Sequence, residues 1–298
     1  MNVRRALSVL VACFFAYFAY RAVRDGSFHV LAHIRLSAFI SAAVIIFIGN
    51  NVLGGLRWWA LQGYRGSAGS AVRSLTESIF FATVLPAGSV GGDIYRGAST
   101  HAAAPVVADR VVGAAVTTGC AAVALPIFLH APGWLAWAAA ASVVLGAYLA
   151  WRVLPRIRVG SSRVRRGLAI FGDVVSRRER VGPAIILTVG YLFCNTLFLL
   201  SLATAVGTHL VFVAGIVGSP LVLAAGAIPN VHGLSFVQLT IAAVLYDAGA
   251  SAAQATAAGA AHLLITYVFA LIGGSLLLER RLGRSHPPLA AHGSEASR

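Results

Sequence analysis

Lysine is absent from this sequence: all 23 basic residues are arginine. With no lysine there is no P-loop lysine, no kinase lysine and no Schiff-base lysine, so enzymes built on those groups are excluded at once. Charge of either sign is scarce, at 11% of residues, where a soluble domain carries about 25%. Cysteine is sparse too. Cys13, Cys120 and Cys194 stand singly inside apolar runs, with no Cys-x-x-Cys or Cys/His spacing. Neither a disulfide framework nor a zinc site is expected, and the residues fit buried small apolar side chains. No histidine-and-acid cluster marks a metal and no nucleotide fingerprint occurs, so the sequence asks for no metal and no cofactor.

What the chain does have is apolar length. Of its 298 residues 58% are hydrophobic. Apolar segments fall at about 6–23, 36–61, 74–85, 104–130, 133–153, 183–206, 209–228, 235–249 and 255–278. This is the pattern of an all-α, polytopic membrane protein. The start, "MNVRRALSVLVACFFAYFAYRAVR", has an apolar core followed by "YRAVRDG" rather than a small-x-small site, so it reads as an uncleaved first helix. The net charge of +14 gathers at the ends of apolar segments. There it reports topology and attraction to anionic lipid, not nucleic-acid binding.

The arginines fix a parity. The stretch 154–182 is arginine-rich and expected to be cytoplasmic, as are Arg4 and Arg5 at the N-terminus and "ERRLGR" near the C-terminus. Helix 36–61 must then return to the cytoplasmic side, placing Arg65 and Arg73 inside, while helix 104–130 must start there. Segment 74–103 therefore starts and ends on one side, and 208–250 starts and ends on the other. The expectation is about six full spans plus two opposed re-entrant hairpins. The first is broken at Leu85–Gly92, the second at "AIPNVHGLSF", Ala227 to Phe236. Segment 209–228 reads as interrupted at Gly218 and Pro220. Paired broken segments in the two halves point to an inverted repeat with a midplane site, because irregular backbone survives at membrane depth only inside protein or along a wet cavity.

The break "VLPAGSVGGDIYR" is rich in candidate site residues. Gly88, Gly91 and Gly92 permit positive φ and close backbone approach. A helix starting after them would aim N–H groups at an anion. Arg96 adds a guanidinium suited to phosphate or carboxylate, and Asp93 can pair with it along one helix face. "ADRVVG" places Asp109 and Arg110 at the start of a long helix, with Arg110 also able to snorkel. Arg57 lies in "GLRWWAL", where Trp58 and Trp59 read as an interfacial belt. Glu77 reads as a dipole partner near a helix N-terminus. Asn50, Asn51 and Asn195 are expected to bond between helices. In the second break the polar groups are Asn230, His232 and Gln238, while Asp247 is expected to face water. Ser235 with His262 has the residue types of an intramembrane serine protease, but small-x-Ser patterns are common in membrane helices.

The order "GLRWWALQGYRGS", "SIFFATVLPAGSVGGDIYRG", "ADRVVGAAV" and "AIPNVHGLSFVQLTIAAVLYDAGAS" resembles the lysylphosphatidylglycerol synthase transmembrane, or flippase-like, family over about residues 3–282. The resemblance implies a lipid-handling membrane domain. It carries Arg57, Pro86, Gly91, Gly92, Asp93, Arg96, Asp109, Arg110, Pro229 and Gly233 onto this chain. Where the family has a late glutamate this chain has Gln238, and Ser235 stands at the family's second glycine. With no soluble aminoacyl-transferase domain in these residues, the resemblance is to the membrane part alone.

The expectation is therefore a flippase-like domain over 1–282, with halves 1–153 and 183–282, followed by a disordered cytoplasmic tail at 283–298. It would sit in the inner membrane with both termini cytoplasmic. The expected partner is an anionic lipid, either a phospholipid or a polyprenyl-phosphate-linked molecule, whose headgroup passes through a polar cavity. Arg96→Ala is expected to stop lipid movement and leave the fold intact. The alternatives are a transferase or transferase subunit acting on lipid-linked sugars, with Asp93 or Asp109 as base, and a non-catalytic lipid-binding scaffold. Both a homo-oligomer and a lipid-modifying enzyme partner are compatible with the sequence.

Overall fold

A computed structural model of the chain describes residues 20, 23–24, 26–85, 88–100, 103–153, 177–226 and 235–284. Most of the expected first helix at 6–23, most of the loop 154–182, and the tail from 285 onward lie outside the described residues. So do Pro86 and, of the second-break group, Pro229, Asn230, His232 and Gly233.

Among the described residues every element is helical. A short α1 (Ser27–Ala32) leads into α2 (Leu36–Phe47), a π-helical segment (Ile48–Leu53) and α3 (Gly54–Leu61), which together run as one long rod. Then come α4 (Ala68–Val84), α5 (Ser89–Thr100), α6 (Ala103–Phe128), α7 (Gly133–Val153), α8 (Arg178–Ala205), α9 (Phe212–Ala225), α10 (Phe236–Asp247) and α11 (Ala252–Arg284). Among the described residues four helices are long and apolar enough to cross a membrane: Leu36–Leu61, Pro105–Phe128, Glu179–Ala205 and Ala252–Leu282. Their outer faces stay apolar. On the first rod Leu36, Ile40, Val44 and Ile48 are all more than 40% exposed. Spaced by four, they form one helical stripe. In water such stripes would be an aggregation surface; facing acyl chains they are solvated.

The core sits where α2, α8, α10 and α11 meet, around Phe198, Leu199, Leu202, Ile241, Leu245 and Ala258, each under 3% exposed. The two ends of the bundle are distinguishable. At one end, α3 runs out beside the guanidinium of Arg180, and Arg73 Nη2 on α4 donates to Leu276 O (2.9 Å) on α11. At the other, Arg35 N donates to Ala205 O (2.9 Å) and Gln254 Nε2 to Gly207 O (3.0 Å). We call the first the basic end.

Two helix pairs pack side by side in the segments where the breaks were expected. Helix α4 leaves the basic end and α5 returns to it: Ser74 Oγ meets Ser99 Oγ at the open end (3.4 Å), Phe81 stacks on Tyr95 (4.7 Å between centroids), and Leu85 abuts Gly91 at the tip. The break is shorter than expected, because α5 already begins at Ser89. The physical reason is local. A residue before proline avoids the helical region, and Leu85, at φ −80° and ψ 143°, ends α4. Gly88 then makes the reversal at φ +54°, a conformation open to glycine. Nothing further holds the chain out of a helix, so Gly91 and Gly92 lie inside α5.

Helices α9 and α10 form the second pair, with Gly218 against Val244 and Gly226 near Val237. This pair opens at the opposite end, between Gly207 and Gln254. Helix α9 is not interrupted: Pro220 lies inside one continuous helix. Ser219, one residue earlier, is tied to α8 by Asn195 Nδ2 (3.1 Å to its carbonyl) and by its own hydroxyl on Leu192 O (2.8 Å). That tertiary bonding offsets what the proline removes.

The hairpins are exchanged between halves. Helix α4 lies chiefly on α11, and α9 chiefly on α6. Each hairpin thus rests on the long helix that follows the other hairpin. The α4–α11 crossing is close: a Cβ on Gly273 would lie 2.3 Å from Thr76 O.

Candidate functional site

Three segments separated in sequence bring five charged groups together at the basic end. Helix α3 supplies Arg57, α5 supplies Asp93 and Arg96, and α6 supplies Asp109 and Arg110. Asp109 accepts from Arg57 Nε on Oδ1 (2.7 Å) and from Arg96 Nη1 on Oδ2 (3.0 Å). Arg96 Nη2 also donates to Asp93 Oδ1, one turn earlier on its own helix. Asp93 in turn accepts from Arg110 Nε (2.7 Å) and Nη2 (3.1 Å). The result is an alternating chain, Arg57–Asp109–Arg96–Asp93–Arg110. Arg57 reaches a fourth element through Thr188 Oγ1 on α8 (3.4 Å).

Burial is deepest at Asp109 and Arg96 and falls toward the Arg110 end. Arg96 and Asp109 are each 3% exposed, whereas the Asp93 side chain is 21% and the Arg110 side chain 48% exposed. The inner members therefore hold one another, and the outer pair faces outward. Arg110 pairs with Asp93 while its side chain stays half-exposed. Removing Arg96 would leave two carboxylates in a buried setting, so Arg96→Ala would damage the fold as well as any site.

The motif residues have local reasons. A Cβ on Gly113 would sit 3.2 Å from Arg57 Nη1, so the glycine that closes "DRVVG" makes room for the guanidinium that the aspartate opening it binds. Gly91 and Gly92 serve a similar end on another face. A Cβ on Gly92 would lie 2.8 Å from Ser78 O, and one on Gly91 2.9 Å from Leu85 Cδ1. The space freed by their missing side chains is taken up by α4.

Trp58 corrects one expectation. It is not an interfacial residue: it is 1% exposed, with its ring 5.5 Å from Arg96 Cζ. Trp59, the next residue, does sit near the rim, donating from Nε1 to Gly66 O (3.1 Å).

Glu77 is a second difference. Helix α4 begins at Ala68, so Glu77 is well inside it and fully buried. It accepts from Arg73 Nε (3.1 Å), Tyr95 Oη and Arg280 Nη1 (3.3 Å), the last from α11. Sequence reasoning missed this centre, since its partners come from both ends of the chain. Beside it lies a cavity of about 440 Å³ whose wall includes Trp58, Gln62, Arg65, Arg73, Glu77 and Arg280.

In the second half, Gln238 is the one described member of the group expected there. It belongs to a capping box: Ser235 Oγ accepts from Val237 N (3.2 Å), and Gln238 Oε1 accepts from Ser235 N (2.9 Å). The signal S-x-x-Q was present in "SFVQ". Gln238 Nε2 also lies 3.5 Å from His262 Nδ1 on α11. Ser235 Oγ bonds to Gln238 Oε1 (3.1 Å), so the glutamine stands between the serine and the histidine of the protease-like pair. Asn195 bonds across helices as expected. Asn51 does not: in the π-helical segment it is fully buried, and neither amide atom has a partner among the described residues. Asp247 is exposed.

Compared with known families, the chain matches the model of the lysylphosphatidylglycerol synthase TM region over residues 5–274. No curated protein and no solved structure matches it.

Proposed function

The chain belongs to the lysylphosphatidylglycerol synthase TM region family, and from that premise we propose that it moves an anionic lipid between leaflets. The headgroup would cross through polar protein while the acyl chains remain in the bilayer. The carrying observation is the alternating five-charge chain inside a bundle whose main core and outer faces are apolar. Buried ion pairs add little to stability over well-packed apolar residues, and charge at membrane depth usually marks a pathway. The accessible end, Asp93 and Arg110, is where an incoming phosphate would exchange for a carboxylate, with Arg96 and Arg57 held ready behind it by Asp109.

The two hairpins fit the same reading. Opening at opposite ends and resting on each other's long helices, they support an inverted repeat of two re-entrant pairs among about six full spans. In that reading the basic end and both termini are cytoplasmic and the host membrane is the inner one. A transferase would need an uncommitted carboxylate, and Asp93 and Asp109 are both held by arginines, so the geometry favours transport over that chemistry.

The test is lipid movement in liposomes containing the purified protein and a fluorescent phosphatidylglycerol analogue. The wild type is expected to move lipid well above protein-free liposomes. Arg110→Gln is expected to slow movement at least about tenfold, the effect of one lost charge-assisted contact, without changing the unfolding temperature. A wild type no faster than empty liposomes would overturn transport and leave a lipid-binding scaffold.

A further inference from the structure

The cavity beside Glu77 is separate from the five-charge chain, with Trp58 as the shared wall. Its lining carries three arginines, Arg65, Arg73 and Arg280, against two glutamates, Glu77 and Glu279. One positive charge is left over. The glutamates already engage two of the arginines, since Arg73 bridges both of them (3.1 Å each) and Arg280 reaches Glu77. Arg65 is exposed and makes no ion pair among the described residues.

Two further donors are uncommitted there. Trp58 Nε1 and Gln62 Nε2 are both buried without a hydrogen-bond partner among the described residues, and both residues line the cavity. Buried donors left unbonded cost about 1–3 kcal/mol each, so a small side-chain turn that brings these N–H groups onto a bound phosphate relieves that cost. Serine hydroxyls add to the wall at Ser70, Ser74 and Ser99. The volume lies within the range of about 300–1,000 Å³ usual for small-molecule sites.

We propose that this cavity is a resting site for a singly charged phosphate group, that of an anionic lipid headgroup. Arg65 would neutralise the phosphate, and the indole and carboxamide N–H groups would donate to its oxygens. The site rests on the lipid-handling reading but lies outside the residues that reading uses. It would hold the headgroup at the basic end before or after passage past Asp93 and Arg110.

The experiment measures binding to the full-length protein in detergent, by native mass spectrometry and by thermal shift. The probes are dioctanoyl phosphatidylglycerol, dioctanoylglycerol and inorganic phosphate. The phosphatidylglycerol is expected to bind and raise the unfolding temperature; the uncharged dioctanoylglycerol is not. Arg65→Gln and Trp58→Phe are each expected to weaken the binding about tenfold, the value of one hydrogen bond to a charged group. Arg65→Gln alters an exposed side chain, so its unliganded unfolding temperature should match the wild type and keep the result interpretable. Inorganic phosphate binding as tightly as the lipid, with the same dependence on Arg65, supports the phosphate site and assigns it to free phosphate. Wild-type affinity for dioctanoyl phosphatidylglycerol in both variants overturns the proposal. Failure of transport is distinguishable: wild-type protein that binds at this cavity yet moves no lipid sinks the transport reading and leaves the site standing.

Discussion

Asp109 holds two guanidiniums from two different helices, so its charge matters to the fold. Asp109→Asn keeps its shape and removes its charge. It leaves Arg57 and Arg96 facing one another in a buried site, and breaking a buried pair this way costs about 3–5 kcal/mol. The expected result is a markedly lower unfolding temperature in detergent. Arg110→Gln, at the half-exposed end, is expected to cost under about 1 kcal/mol. Equal losses in the two variants would mean that burial does not grade the network as described. Much of this centre was legible beforehand. Asp93 and Arg96 lie three apart on one helix, and Asp109 sits at the start of the next. The Glu77 centre was not, because the positions of Glu77 and Arg280 differ by 203. Helical spacing rules reach three or four residues, and nothing in either local sequence points at the other.

Among the elements, packing follows the glycines. Gly273→Val is expected to drive α11 away from α4, where the Thr76 carbonyl leaves no room for a side chain, at about 1–3 kcal/mol. Gly97 provides the contrast. It lies inside α5 and a Cβ there meets nothing within 4 Å. Gly97→Ala is therefore expected to stabilise by roughly 0.5–1 kcal/mol. Thermal unfolding of the two variants checks both signs. Arginine counting directed attention to these two helix pairs, since charge at loop ends constrains how often a chain crosses. The extent of the first break was not. Three glycines in a row of small residues look like irregular backbone, and only the fold shows that two of them are helical residues pressed against α4.

Seen whole, the bundle has a basic end and an opposite end, and each hairpin opens at a different one. Ser67 is exposed at the basic end, just before α4, and Asp247 is exposed at the other, at the close of α10. Single-cysteine proteins, with Cys13, Cys120 and Cys194 replaced, test the proposed orientation. Asp247→Cys is expected to react with a membrane-impermeant maleimide in intact cells, and Ser67→Cys only after permeabilisation. The reverse pattern would invert the topology.

The exchange of hairpins between halves has a consequence for how the protein comes into being. Glu77 sits on α4, yet the helix that covers it, and the arginine that helps neutralise it, belong to α11, the last helix described. During synthesis at roughly 5–20 residues per second, α4 is made on the order of ten seconds before its main partner exists. For that interval a carboxylate meant for the interior has only Arg73 and Tyr95 to shield it, and the first hairpin lacks its main packing surface. The arrival of α11 completes both halves in one event, so a chain stopped before Ala252 should be an early target for degradation.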